Sequence, residues 1–296
     1  MQNEWPPRGS TGFDKYSFFD CGAFGLFTLS DERFQPKAYG KRAYSPSTFF
    51  IEREKRAIDP NKVHLWNELG PALRTLGDAT TVLDVGGYIG TFCIPLALSA
   101  QASGLDLTFH SFEPGPTREL LAINVQANGL ASRVTVHDAA MSSFDGHTIY
   151  RFKTGGSIGG AVFGNGSSDD IERVAPCFTI DRFCKDVVGR MFIKLDTQGH
   201  EPDIMNSARL TISQKRAIWQ IEFIAWAARK DIGGQSFADF LLQEFYLFEG
   251  HREINALTMP DFLNEIDARA SRMADMTLIP RGAPFVENLL AQVRQG

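Results

Sequence analysis

Between residues 81 and 279, short apolar runs alternate with longer segments whose apolar residues return every three or four positions. The runs 81–85, 107–112, 133–137, 191–195 and 217–223 have strand length, whereas 89–99 and 117–128 carry helical spacing. Repeated strand–helix units predict an α/β fold with a mostly parallel sheet covered on both faces. Upstream, Val63, Trp66, Leu69, Leu73 and Leu76 predict a helix from Asn61 that leads into the first strand, bent or divided at Gly70 and Pro71. Two further strand-like runs, 148–153 and 175–180, flank the polar stretch KTGGSIGGAVFGNGSSDD. Its six glycines make it a loop from Lys153 to Asp170, of a length that often serves as an active-site lid. Runs at 245–248 and 276–279, with a helical segment at 260–270 between them, complete the pattern.

Residues 1–60 do not follow this alternation. They are rich in aromatic residues, among them Trp5, Phe13, Phe19, Phe27, Phe34 and Phe50, and are broken by glycine and proline. So many large apolar groups suit an extension that packs over a main domain at 61–296. A cover for the substrate or a dimer arm is the alternative.

Composition narrows the function classes. The 296 residues are 43% hydrophobic and 22% charged, a globular mixture. With 30 basic against 35 acidic residues, the net charge of −5 offers no field to gather nucleic acid. The most apolar stretch, 91–100, is far short of the roughly 20 residues a bilayer span requires, and residues 1–10 lack the basic start and apolar middle of a secretory signal. A cytoplasmic location is the expectation. Cys21, Cys93, Cys177 and Cys184 show no metal-ligand or disulfide spacing.

Three stretches carry chemistry. Residues 81–90, TVLDVGGYIG, form an apolar strand ending in glycines. A nicotinamide fingerprint would require glycines where Tyr88 and Thr91 stand, so a dehydrogenase is disfavoured. The next strand ends at Phe112-Glu113-Pro114, where an acidic side chain can accept hydrogen bonds from both hydroxyls of a ribose. A third strand ends in Ile193-Lys194-Leu195-Asp196-Thr197-Gln198-Gly199-His200-Glu201.

Together with Asn124-Val125-Gln126-Ala127-Asn128-Gly129-Leu130, Ile180-Asp181-Arg182-Phe183 and Ile221-Glu222-Phe223, these stretches resemble the FkbM family of methyltransferases over residues 81–280. The resemblance implies a Rossmann-like methyltransferase fold of seven strands, the last antiparallel, with S-adenosylmethionine at the carboxyl ends of the first strands. On that mapping Asp84, Gly86, Gly87 and Gly90 surround the methionine part, Glu113 holds the ribose, and Asp138 and Ala139 meet the adenine. Many members read Asp-Val-Glu-Gly where this chain has Asp196-Thr197-Gln198-Gly199, so no role of that glutamate carries over.

An aliphatic hydroxyl acceptor must lose a proton, and a base for it belongs at the ends of the fourth and fifth strands, where Asp196, His200 and Glu222 fall. Glu222 is also a candidate partner for Lys194, since a lysine within a central strand requires one. Asp196 and Glu222 could hold a divalent metal, but a metal-free base is the expectation. His137 reads as a satisfied strand-end histidine. The resemblance implies O-methylation of a sugar, glycan or related metabolite. N-methylation of a small amine, or cofactor binding without turnover, are the alternatives. Trp219, Trp226, Tyr246 and Phe248 are aromatic residues able to stack on a sugar or to fill the core.

Overall fold

The computed structural model describes residues 18–21, 25–28, 80–153 and 170–295. The helix expected from Asn61, the glycine-rich loop at 154–169 and most of the N-terminal extension lie outside these residues. In chain order, the first half contains β1 (Phe18–Asp20), β2 (Leu26–Thr28), β3 (Thr80–Val85), α1 (Cys93–Ala102), β4 (Leu107–Phe112), α2 (Thr117–Ala127), β5 (Val134–His137), β6 (Ala140–Met141), β7 (Gly146–Lys153) and β8 (Asp170–Phe178). Then follow α3 (Ile180–Cys184), β9 (Arg190–Leu195), α4 (Glu201–Asn206), α5 (Arg209–Ser213), β10 (Ala217–Ile224), α6 (Ala225–Ala228) and α7 (Phe237–Glu244). The chain continues through β11 (Phe245–Glu249), β12 (Arg252–Ile254), α8 (Met259–Ala268), β13 (Met273–Pro280) and α9 (Val286–Gln295).

The main sheet has the order β12-β11-β13-β10-β9-β3-β4-β5. Strands β5, β4, β3, β9 and β10 pair in parallel, and β13 runs antiparallel to both β10 and β11. The expected seven strands are therefore eight, and two of them run against the rest. The additional strand is β12, which folds back on β11 with Glu249 opposite Arg252. Gly250, at φ +57°, takes the first corner of that two-residue turn, a conformation that favours glycine. Nothing in the length of the run at 245–248 announces a hairpin.

Central strands are apolar along their whole length because both faces are covered. All eight residues of β10 are buried. One face packs Leu83, Val85, Ile193, Trp219 and Phe223 against residues of α3–α8. The other packs Val82, Phe109, Phe192 and Ile218 against α1, α2 and α9. After β3 the chain moves outward through β4 and β5, then returns to place β9 on the other side of β3. This reversal of strand order is the topological switch point, where open α/β sheets take ligands.

Two smaller sheets flank this core. Strands β7 and β8 form a long antiparallel hairpin, with β6 on its edge. Strands β1 and β2 form a short hairpin held by α2. Asn124 accepts from the Thr28 N–H at 2.7 Å and donates to the Thr28 and Ile89 carbonyls, while Asn128 accepts from the Leu26 N–H and donates to the Leu26 carbonyl. The two asparagines thus satisfy the edge of β2 as a neighbouring strand would, and Phe27 is fully buried beside them. All four cysteines are buried, and none is joined in a disulfide. No helix among the described residues is long and apolar enough to cross a membrane.

Candidate active site

The glycine turn joins β3 to α1 at the switch point. Gly86 has φ +81°, and a Cβ placed on it would lie 2.0 Å from the Asp196 carbonyl oxygen. Only glycine lets these two strand ends approach so closely. The N–H groups of Gly86 and Gly87 donate to the Phe112 carbonyl, and the Asp196 N–H donates to the Val85 carbonyl, so the turn is fastened to β4 and β9 together. The helix begins at Cys93, after a run of turns, rather than at the expected residue 89.

Beneath the turn, buried Asp84 accepts from the Ser111 hydroxyl at 2.9 Å and pairs with Lys194 at 3.1 Å. Lys194 also lies 3.5 Å from Asp196 and donates to the Gly86 carbonyl at 3.0 Å. The parallel register explains its partners: Lys194 stands beside Asp84 on one side and Gln220 on the other. Glu222, the partner expected from the sequence, is two residues further along β10. The lysine therefore ties the glycine turn to the Asp196 strand end.

Glu113, at the end of β4, is 6% exposed. One of its oxygens accepts from the Tyr88 N–H at 2.9 Å and the other from the Gly115 N–H at 2.7 Å. Burial outweighs these bonds and pushes the carboxyl up to about 7. At the end of β5, Asp138 presents Oδ2 to Arg118 of α2 at 2.7 Å and to Arg173 of β8 at 2.5 Å. Its Oδ1 is buried with no hydrogen-bond partner. Ala139 is buried beside it. The residues predicted for the cofactor therefore follow one another along the carboxyl ends of β3, β4 and β5, from the glycine turn through Glu113 to Asp138.

On the other side of the turn, Asp196 and Glu222 come together. The Gln198 amide donates to Asp196 Oδ1 at 3.2 Å and to Glu222 Oε2 at 3.0 Å. Gln198 reaches both from a left-handed backbone at φ +57°, an unusual conformation for a side chain of its size. Glu201 fixes the turn from below, accepting from the Thr197 N–H and hydroxyl at 2.6 and 2.7 Å. Among the described residues, no cluster of three His, Cys, Asp or Glu side chains is arranged to hold a metal ion.

The family model of the methyltransferase FkbM domain matches residues 84–267, a span that contains the glycine turn, Glu113, Asp138 and the two bridged carboxylates. The chain belongs to the FkbM methyltransferase family. No curated protein matches the sequence. Among solved structures, an FkbM methyltransferase from Methylobacillus flagellatus KT shares 16% identity over 67% of this chain and 43% of its own length, with a TM-score of 0.38. An O-methyltransferase family protein from Burkholderia thailandensis shares 15% over 82% and 64%, at 0.31. A phosphoethanolamine N-methyltransferase from Haemonchus contortus, solved with S-adenosylhomocysteine, shares 13% over 76% and 44%, at 0.27. The chain thus spans less than half the length of the Methylobacillus protein. The family assignment rests on the family model and not on these distant likenesses.

His200 does not join the carboxylates bridged by Gln198. Its Nδ1 lies 3.1 Å from Asp203 and its Nε2 lies 3.3 Å from the buried Ser142 hydroxyl. Asp203 is held down to about 2, chiefly by its hydrogen bond from His200 and then by Lys230. With both ring nitrogens engaged, His200 anchors α4 to the strand end at β6. His137 is satisfied as expected: it bonds His110 at 3.0 Å and stacks on Phe112.

Several residues of this FkbM site carry no signal in the sequence. Arg118 and Arg173 are distant in the chain from the Asp138 they clamp. Tyr150, directly across the hairpin from Arg173, lies against Gly115, where a Cβ would fall 2.9 Å from its hydroxyl. Burial and the nearby Glu113 push that phenol well up. Arg173 also donates to the Pro114 carbonyl at 2.8 Å.

Proposed function

We propose that this FkbM protein is an S-adenosylmethionine-dependent O-methyltransferase acting on a hydroxyl of a sugar, glycan or related metabolite. The observation that carries the reading is the pair of carboxylates, Asp196 and Glu222, drawn together by Gln198 at the end of β9 and β10 beside the glycine turn. The residues on the other side of that turn fit the cofactor. Glu113 has the carboxylate to accept from two ribose hydroxyls, and the buried, unpartnered Oδ1 of Asp138 suits the exocyclic amine of adenine. Asp84, Gly86, Gly87 and Gly90 shape the floor for the methionine part, with Ala139 closing the adenine end. When bound, the cofactor supplies an electrophilic methyl group on a sulfonium.

The chain's own part is to place the acceptor and take its proton. Asp196 is the base in this reading, because its carboxylate stands at the strand end next to the glycine turn. The Gln198 amide holds it in position, and Glu222 provides a second acceptor for the substrate hydroxyl. Lys194 balances the charge of Asp84 and Asp196. His200, tied to Asp203 and Ser142, supports α4 and is the lesser candidate for the base.

The test is incubation with an isotopically labelled methyl donor and glycan or metabolite fractions, followed by mass analysis of the product. Label on a sugar oxygen is expected. Asp196→Asn should lower the rate by about 10²–10⁴-fold while S-adenosylhomocysteine still binds. Label on an amine nitrogen, transferred at an unchanged rate by the Asp196 variant, would establish N-methylation instead.

A further inference from the structure

Of the four aromatic residues that the sequence offers for stacking, Trp219 and Phe248 are fully buried, whereas Trp226 is 59% exposed. An indole combines a large apolar face with a polar edge and is suited to binding a ligand that has both kinds of surface. Trp226 follows β10 directly, in the first turn of α6. Gly199 makes room for it: a Cβ on that glycine would fall 2.3 Å from the indole Cζ2 and 2.6 Å from Cη2. The ring is therefore seated on the backbone of the same turn that carries Asp196 and Gln198. The rest of the ring faces solvent, on the turn whose Gln198 holds the two carboxylates together.

We infer that Trp226 is the stacking platform of the acceptor subsite, taking the C–H face of a sugar ring while the hydroxyls of that ring turn toward Asp196 and Glu222. This rests on the reading that the acceptor is a sugar hydroxyl. The chemistry of the two neighbours fits such a ligand. A pyranose has an apolar face and a rim of donors, and a rigid aromatic ring beside fixed acceptors satisfies both with little loss of side-chain freedom.

Saturation-transfer NMR on the protein–S-adenosylhomocysteine complex, with the methyl glycosides of glucose, galactose, mannose and rhamnose as probes, tests the inference. Saturation should fall on the C–H protons of one ring face in at least one glycoside. It should be lost in Trp226→Ala and kept in Trp226→Phe, with the alanine variant binding that glycoside roughly tenfold more weakly. Affinity for S-adenosylhomocysteine and thermal stability should not move, which separates stacking from a structural role. Equal saturation in Trp226→Ala, or no glycoside bound at all, overturns the subsite. Trp226-dependent binding of a glycoside that is not methylated by the complete enzyme would uphold the subsite and overturn O-methylation of that sugar. Methyl transfer to a sugar with saturation indifferent to Trp226 would do the reverse.

Discussion

Glu113 places function and stability in opposition within one side chain. Burial raises its carboxyl from 4.5 to about 7, so the folded protein holds its proton more tightly than the unfolded chain does. A group of this kind favours folding fully below its unfolded value, and that contribution is lost as pH rises through the folded value. The ribose, however, requires the carboxylate. Affinity for S-adenosylhomocysteine should therefore be greatest above about pH 7 and fall by up to about tenfold per unit below it, as titration calorimetry would show. Glu113→Gln should bind weakly with a flat pH profile. In a thermal melt at alkaline pH the same variant should be the more stable protein, and the difference should close near the unfolded value of 4.5. Gly86 allows a simpler test. Gly86→Ala forces a Cβ onto the Asp196 carbonyl and strains a positive φ, so a loss of at least ~1–3 kcal/mol in denaturant unfolding is expected, along with loss of cofactor binding.

At the scale of elements, α2 joins pieces that the sequence keeps far apart. Asn124 is fully buried and serves both β2 and the Ile89 carbonyl of the glycine turn. Asn124→Leu keeps the volume but strands the Thr28 N–H and the Ile89 oxygen. A destabilisation of about 2–6 kcal/mol in urea unfolding is expected, since each of the two buried polar groups left unmade costs about 1–3 kcal/mol. Much of this architecture was legible in the chain. Strand β4 falls at the residues its alternation predicts, and the strand ends bearing Asp84, Glu113 and Asp196 meet at the switch point because parallel βα units leave little choice. What was hidden depends on register and on long-range pairing. Whether Lys194 faces Asp84 or Glu222 is decided by a two-residue offset between neighbouring strands. Arg173 finds Asp138 only through a hairpin outside the main sheet. Strand β12 arises from a two-residue turn whose sequence, Gly250-His251, is no stronger than many loops.

For the whole molecule, acid sensitivity should come from the two histidines between β4 and β5. Burial, and then the neighbouring His110, depress His137 from 6.5 to about 4, and burial lowers His110 as well. Groups depressed in this way support the fold in full above the unfolded value and withdraw that support as pH falls toward the folded one. In the Glu113→Gln background, where the opposing contribution of that carboxyl is removed, the thermal midpoint should therefore decline between pH 6.5 and about 4. His137→Phe, which keeps an aromatic ring for Phe112 to stack on, should flatten that decline. An unchanged acid limb in the variant would move the cause elsewhere.

The hairpin of β7 and β8 sets one more condition. Tyr150 and Arg173 face each other across it and reach Gly115, Pro114 and Asp138, while the adjoining pair, Ile149 and Val174, is exposed. Side chains alternate along a strand, so a single residue inserted ahead of either position would slip that strand by one place. An aliphatic group would then be presented to the adenine corner, and the tyrosine or arginine would be cast into water. Evolution can therefore edit these two strands only in steps of two.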